Sequence, residues 1–228
     1  MKYIWIIGIC TLMSCAQDKS KGSVALVDES GEENLIPFLD SIWDFEQIPI
    51  RLRDSLGRVY GYESAEYKFQ DSIYHQNHQV NEKKILELLD QQGWPDKERT
   101  GERGNLTICN VLQHSDLSIR EKFIPLMKEA VKQKKLEARF LARAEDRIAT
   151  DKGELQIYGG QIKYYPESKS FDVWPIKDPA NVDARRAEIG LDPMADFLKS
   201  RRDPMEWDVE KQIERSKEFE RLRKASKE

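Results

Sequence analysis

The chain has 228 residues, 39% of them hydrophobic, 34% charged and 9% aromatic, with a formal net charge of −4. That is the size of one domain plus tails, and the apolar fraction excludes wholesale disorder because it is enough to build a core. The balance of 37 basic against 41 acidic residues excludes capture of nucleic acid over a whole face, 3 cysteines exclude a disulfide scaffold, and no apolar run reaches the length of about 20 residues that a membrane-spanning helix needs.

Residues 1–14 read as a secretory signal. Met1-Lys2 is the basic start, Tyr3 to Met13 the apolar run, and Ser14, Cys15 and Ala16 the small residues of a cleavage site. Leu12-Met13-Ser14-Cys15 resembles the bacterial lipobox. The resemblance implies cleavage before Cys15 and acylation of its thiol and new amine by fatty acids such as palmitate. The expected location is then the bacterial cell envelope, lipid-anchored at the outer membrane, with the leaflet open. The alternative is an ordinary cleaved signal with a chance cysteine. Residues 15–34 follow as the lipidated cysteine and a polar, flexible tether.

Apolar spacing near 3.6 predicts an amphipathic helix over residues 35–52, with a break at Gly57 and Gly61. Residues 63–90 read as one long helix or two in line, ending before the turn Gly93-Trp94-Pro95-Asp96. Asn105 caps a helix to about residue 115. Ser118, with Glu121 three residues on, caps the next over 119–134, and a fifth covers 137–151 before Gly153. The period then changes to two. Gln156 to Tyr165 and Phe171 to Ile176, joined by a turn-rich segment, predict one β-hairpin at about 155–176. Short helices are expected from Asn181 or Asp183 to Ile189 and from Pro193 to about Arg202. Residues 203–228 form a charged helical tail whose sparse apolar positions leave it free to project or fray. The expected fold is mainly α with one β-hairpin (α+β), a single helical domain over 35–202 behind a lipoprotein signal.

Polar residues in apolar surroundings mark the candidate pocket. They are Gln113, His114 and Asp116 at the end of the third helix, and Asp146 and Arg147 late in the fifth. Gln156, Tyr158 and Gln161 follow around the first strand, and Arg186 on a short helix. His114 suits a general base, its tautomer fixed by Asp116 or Asp146. Arg147 suits bidentate grip on a carboxylate or phosphate, and the glutamines suit amides or hydroxyls. The plainer alternative is a buried polar network tying helix ends to the hairpin. His75 and His78 share a helix face and with His114 would make a three-histidine set, but neither His-Glu-x-x-His nor paired cysteines occur. No metal and no cofactor is therefore expected. Cys109 reads as a small buried hydrophobe.

Five short motifs occur in order: Gly93-Trp94-Pro95, Gln113-His114-Ser115-Asp116, Asp146-Arg147, Gln156-x-Tyr158-Gly159-Gly160-Gln161, and Asp183-x-Arg185-Arg186 leading to Gly190-Leu191. This series resembles the bacterial domain of unknown function 6624 family, whose members include Bacteroidetes lipoproteins, and it covers about residues 40–200. The chain departs from that pattern at Gly160, where the family usually carries Thr or Ser. The family implies no activity, so it transfers no catalytic role. The expected function is an envelope lipoprotein that binds a ligand or partner. The alternative is a hydrolase-like enzyme using His114, and a third reading makes the tail a partner-binding helix. The expected partners are the lipid bilayer, through acylated Cys15, and an unknown envelope ligand or protein, with no nucleic acid.

Overall fold

A computed structural model of the chain describes residues 33–165, 170–201 and 203–226. The signal, Cys15, most of the tether and the hairpin turn 166–169 lie outside the described residues.

Helix α1 (Ile36–Tyr60) continues through Pro49 and Gly57, past the expected stop. Pro49 has no N–H, so the Phe45 carbonyl one turn back loses its helical donor. Asn77 on α2 (Ala65–Gln92) replaces it, its Nδ2 donating to that carbonyl at 2.9 Å. A Cβ at Gly57 would lie 2.7 Å from the Tyr62 ring, so glycine serves close packing there rather than a break. Ser64 caps α2 by accepting from the Tyr67 N–H at 3.2 Å.

Helix α3 (Lys97–His114) begins earlier than expected and kinks at Gly101, whose φ is 67°. Asn105 is not a cap but a buried interior residue. It accepts from Trp94 Nε1 at 2.9 Å and donates to the Lys135 carbonyl at 2.8 Å, joining the Gly-Trp-Pro turn to the connection before α5. Helix α4 (Leu117–Lys132) starts with Asp116 at the cap position, so Ser118 already lies inside it and the capping box is not formed. Helix α5 (Ala138–Asp151) follows the expected span. Leu39, Ile42, Ile85, Ile108, Val111 and Phe123 are almost wholly buried between these helices. Each such side chain contributes roughly 1.5–3 kcal/mol by leaving water.

Strands β1 (Ile162–Tyr165) and β2 (Ser170–Val173) pair antiparallel, with Ile162 opposite Val173 and Tyr165 opposite Ser170. The expected first strand is therefore shortened. Residues 156–161 form a loop, held at its start by an isolated parallel bridge from Gln156 to Ile176. Helices α6 (Val182–Glu188) and α7 (Met194–Lys199) complete this half. Val173, Ile176, Val182, Met194 and Leu198 make a second apolar cluster, separate from the helical one.

The tail does not project. Helix α8 (Val209–Ala225) lies along the hairpin: Gln212 Nε2 donates to the Trp174 carbonyl at 3.0 Å, Ser216 Oγ accepts from the Ile176 N–H at 3.1 Å, and Phe219 meets the Trp174 ring edge-on. Its docking side is polar, which is why apolar spacing did not reveal it. The fold is mainly α with one small hairpin. Among the described residues, no helix is long and apolar enough to cross a membrane.

Candidate functional site

Between the two apolar clusters lies a cleft of about 1210 Å³, walled by α5 on one side and by the 156–161 loop with α6 and α7 on the other. The loop is held by groups that are themselves buried. Asp146, on the buried face of α5, accepts three backbone N–H groups: Ile157 at 2.7 Å and Tyr158 at 2.9 Å on Oδ1, and Gly160 at 2.8 Å on Oδ2. Burial pushes its carboxyl above the ordinary value, while these donors and the Arg186 charge hold it back. Gln156 is fully buried. Its Nε2 donates to the carbonyls of Gln161 and Trp174, and its Oε1 accepts from the Gln161 N–H at 2.8 Å.

The loop's carbonyls are held from α6. Arg185 donates to the Ile157 carbonyl, and Arg186 donates to the Tyr158 carbonyl at 2.7 Å and the Asp192 carbonyl at 2.6 Å. Gly159 has a φ of 79°, and a Cβ there would lie 2.6 Å from Met194 Sδ, so this turn requires glycine. Asp146, Gln156 and Arg186 thus fit the polar-network alternative: each bonds backbone groups of the loop or its neighbours.

Asp146 and Arg186 border the cleft as well as holding the loop, and Gln113, Arg147, Tyr158 and Gln161, also expected from sequence, line it beside them. Arg143 and Arg201, which the sequence reading missed, line it too. Arg139, Arg143 and Arg147 are spaced four apart on α5, one helical stripe, and that spacing was the available signal. Arg147 reaches Asp151 at 3.4 Å, but that carboxylate is already bound at 2.7 Å by Arg120.

His114 and Asp116 do not line the cleft. His114 packs edge-on against Tyr74 and His78, with ring centroids 6.3 and 6.2 Å away. Asp116 is exposed at the start of α4 without a side-chain cap bond. Sequence reading also missed the partner of His78. Glu46 on α1 is 1% exposed, lies 3.2 Å from His78 Nδ1, and accepts from Asn81 Nδ2 at 3.1 Å. His78 is thus mostly buried. Burial lowers its pKa, but the Glu46 hydrogen bond and charge more than offset this, and the net direction is up. His114 goes the other way, lowered by burial first and then by the His78 and Arg147 charges. His75 instead faces Asp71 at 3.4 Å. Among the described residues, no group of three or more His, Cys, Asp or Glu is placed to hold a metal ion. Cys109 is buried, and burial pushes its thiol far up, which makes it inert.

A family model described as a family of unknown function, DUF6624, matches residues 62–210 of the chain. The match takes in the cleft, the clamp and the start of α8. Neither the curated proteins nor the solved structures contain a match.

Proposed function

This chain belongs to the DUF6624 family, and from that premise we propose that it is a lipid-anchored envelope protein whose domain binds a ligand in the cleft between its two apolar clusters. The anchor is Cys15, expected from its lipobox-like setting. Binding is supported by one observation above others. Asp146, Gln156, Arg185 and Arg186 hold both the N–H groups and the carbonyls of one loop. That fixes Tyr158 and Gln161 at the wall of a cleft large enough for a small molecule. A loop that needed only to connect two elements has no use for so many buried tethers.

The hydrolase alternative gains nothing from this geometry. His114 stands against Tyr74 and His78 rather than in the cleft, and both oxygens of Asp146 are occupied by backbone donors.

Gln161→Trp tests the binding reading, because it places an indole in the cleft beside Tyr158 and leaves the Gln161 N–H bond to Gln156 in place. Native mass spectrometry of protein purified from its envelope fraction is expected to find a bound small molecule that the variant loses, at an unchanged unfolding temperature. Identical spectra for the two proteins would contradict the reading. For the anchor, Cys15→Ala is expected to move the protein from the membrane fraction to the soluble one, and continued sedimentation with membranes would contradict it.

A further inference from the structure

The charge of the cleft is opposite to that of the chain. Eight of its described lining side chains are Lys or Arg and four are Asp or Glu, in a protein of net charge −4. Several of these cations are satisfied. Lys97 pairs with Glu102 at 3.3 Å, Lys135 with Asp96 at 3.2 Å and Arg139 with Glu137 at 3.0 Å, while Arg186 is held by carbonyls. Arg143, Arg201 and Lys134 make no ion pair among the described residues, and Arg147 shares a carboxylate that Arg120 binds more closely.

These charges line the cleft from both of its walls. Arg143 projects from α5 and Arg201 from just beyond α7, over the Phe197 ring at 5.8 Å. Desolvation, then the neighbouring Arg147 and Arg201 charges, hold the Arg143 guanidinium below its ordinary value. Like charges gathered with only the shared Asp151 carboxylate against them raise the energy of the empty fold, and they do so most in a concave site, where field lines are focused. An oxyanion between them removes that cost and accepts the two-pronged donation that guanidinium groups offer.

Resting on the cleft-binding reading above, we propose that the ligand is a multiply charged oxyanion, carrying a phosphate or clustered carboxylates, anchored by Arg143, Arg147 and Arg201. More than one negative charge is required because more than one cation awaits one. Gln113 and Gln161 face the same space and supply donors for the uncharged part of the ligand.

The test is calorimetric titration of the full chain, purified in detergent at low salt, with pyrophosphate, with citrate and with sucrose. Pyrophosphate or citrate is expected to bind, which of the two separating a phosphate from a carboxylate source, and sucrose to bind far more weakly. Arg143→Gln and Arg201→Gln are each expected to weaken the binding anion by about tenfold. Lys83→Gln removes the same charge on the outer face of α2, where Lys83 is 78% exposed, and is expected to change nothing. The unfolding temperature of Arg143→Gln should hold or rise, since a repulsion is removed. A lower unfolding temperature with unchanged affinity would make Arg143 structural and overturn the proposal. So would absence of binding by both anions, or equal weakening by Lys83→Gln. If the anions fail but a neutral ligand is still lost on Gln161→Trp, the charge assignment falls and the cleft survives. If no ligand responds to Gln161→Trp, both fall.

Discussion

Asp146 holds the 156–161 loop through both of its carboxylate oxygens. Its two oxygens hold three loop N–H groups inside the protein, and each donor left unpaired there costs about 1–3 kcal/mol. Asp146→Ala is therefore expected to destabilise by about 3–5 kcal/mol. Asp146→Asn should cost less, because Oδ1 keeps its two donors and the new amide is opposed by the Gly160 N–H alone. Denaturant unfolding of both variants checks the order, and equal, small effects would contradict the clamp. Sequence reading singled out Asp146, Gln156 and Arg186 as polar residues in apolar surroundings, and all three are buried. It could not tell a clamp from a contact, because burial with a backbone partner and burial with a ligand select the same residue types. Of the i, i+4 arginines of α5, Arg147 was picked out and Arg143 passed over, since exposed charges on a helix usually mean solvent.

At the scale of elements, hydrophobic period located α5, whose apolar residues share one buried stripe, and the change of period marked the hairpin, though its first strand is shorter than expected. It failed where one element repairs another. Pro49 reads as a break in isolation, yet Asn77 supplies the missing donor from a different helix. The docked face of α8 is equally hidden, since Gln212 and Ser216 bind backbone rather than bury carbon. Deleting α8 should uncover Trp174 and Ile176 and lower the unfolding temperature by several degrees; no shift would mean the helix is loosely held. The α1–α2 pair holds a pH-dependent contact. The raised pKa of His78 gives stability that is complete below the unfolded value of about 6.5 and is lost as pH rises through the folded value. His114, lowered, has the opposite sign: its contribution is present above about 6.5 and lost as pH falls. Imidazole resonances followed by NMR should therefore titrate above 6.5 for His78 and below it for His114. Glu46→Gln should bring His78 down, and a common midpoint for both rings in the native chain would contradict the pairing.

At the scale of the molecule, two apolar clusters share one chain, and α5 joins them. Its buried stripe packs against α3 and α4, and Asp146 on that stripe reaches the loop of the second cluster. The stripe beside it, with Arg139, Arg143 and Arg147, faces the cleft that separation leaves. Neither cluster boundary was legible in the sequence, because both halves have ordinary apolar content and no linker divides them. The mainly helical class was legible, and so were six of the cleft's lining residues: Gln113, Asp146, Arg147, Tyr158, Gln161 and Arg186.

The most direct test of the cleft as a binding site is an amide NMR map of the chain titrated with a small-molecule extract of the cells that make it. Shifts confined to Gln113, Arg143, Arg147, Tyr158 and Gln161 are the expected result. Shifts centred instead on the exposed apolar side chains Phe45, Ile48 and Leu52 of α1 would contradict it.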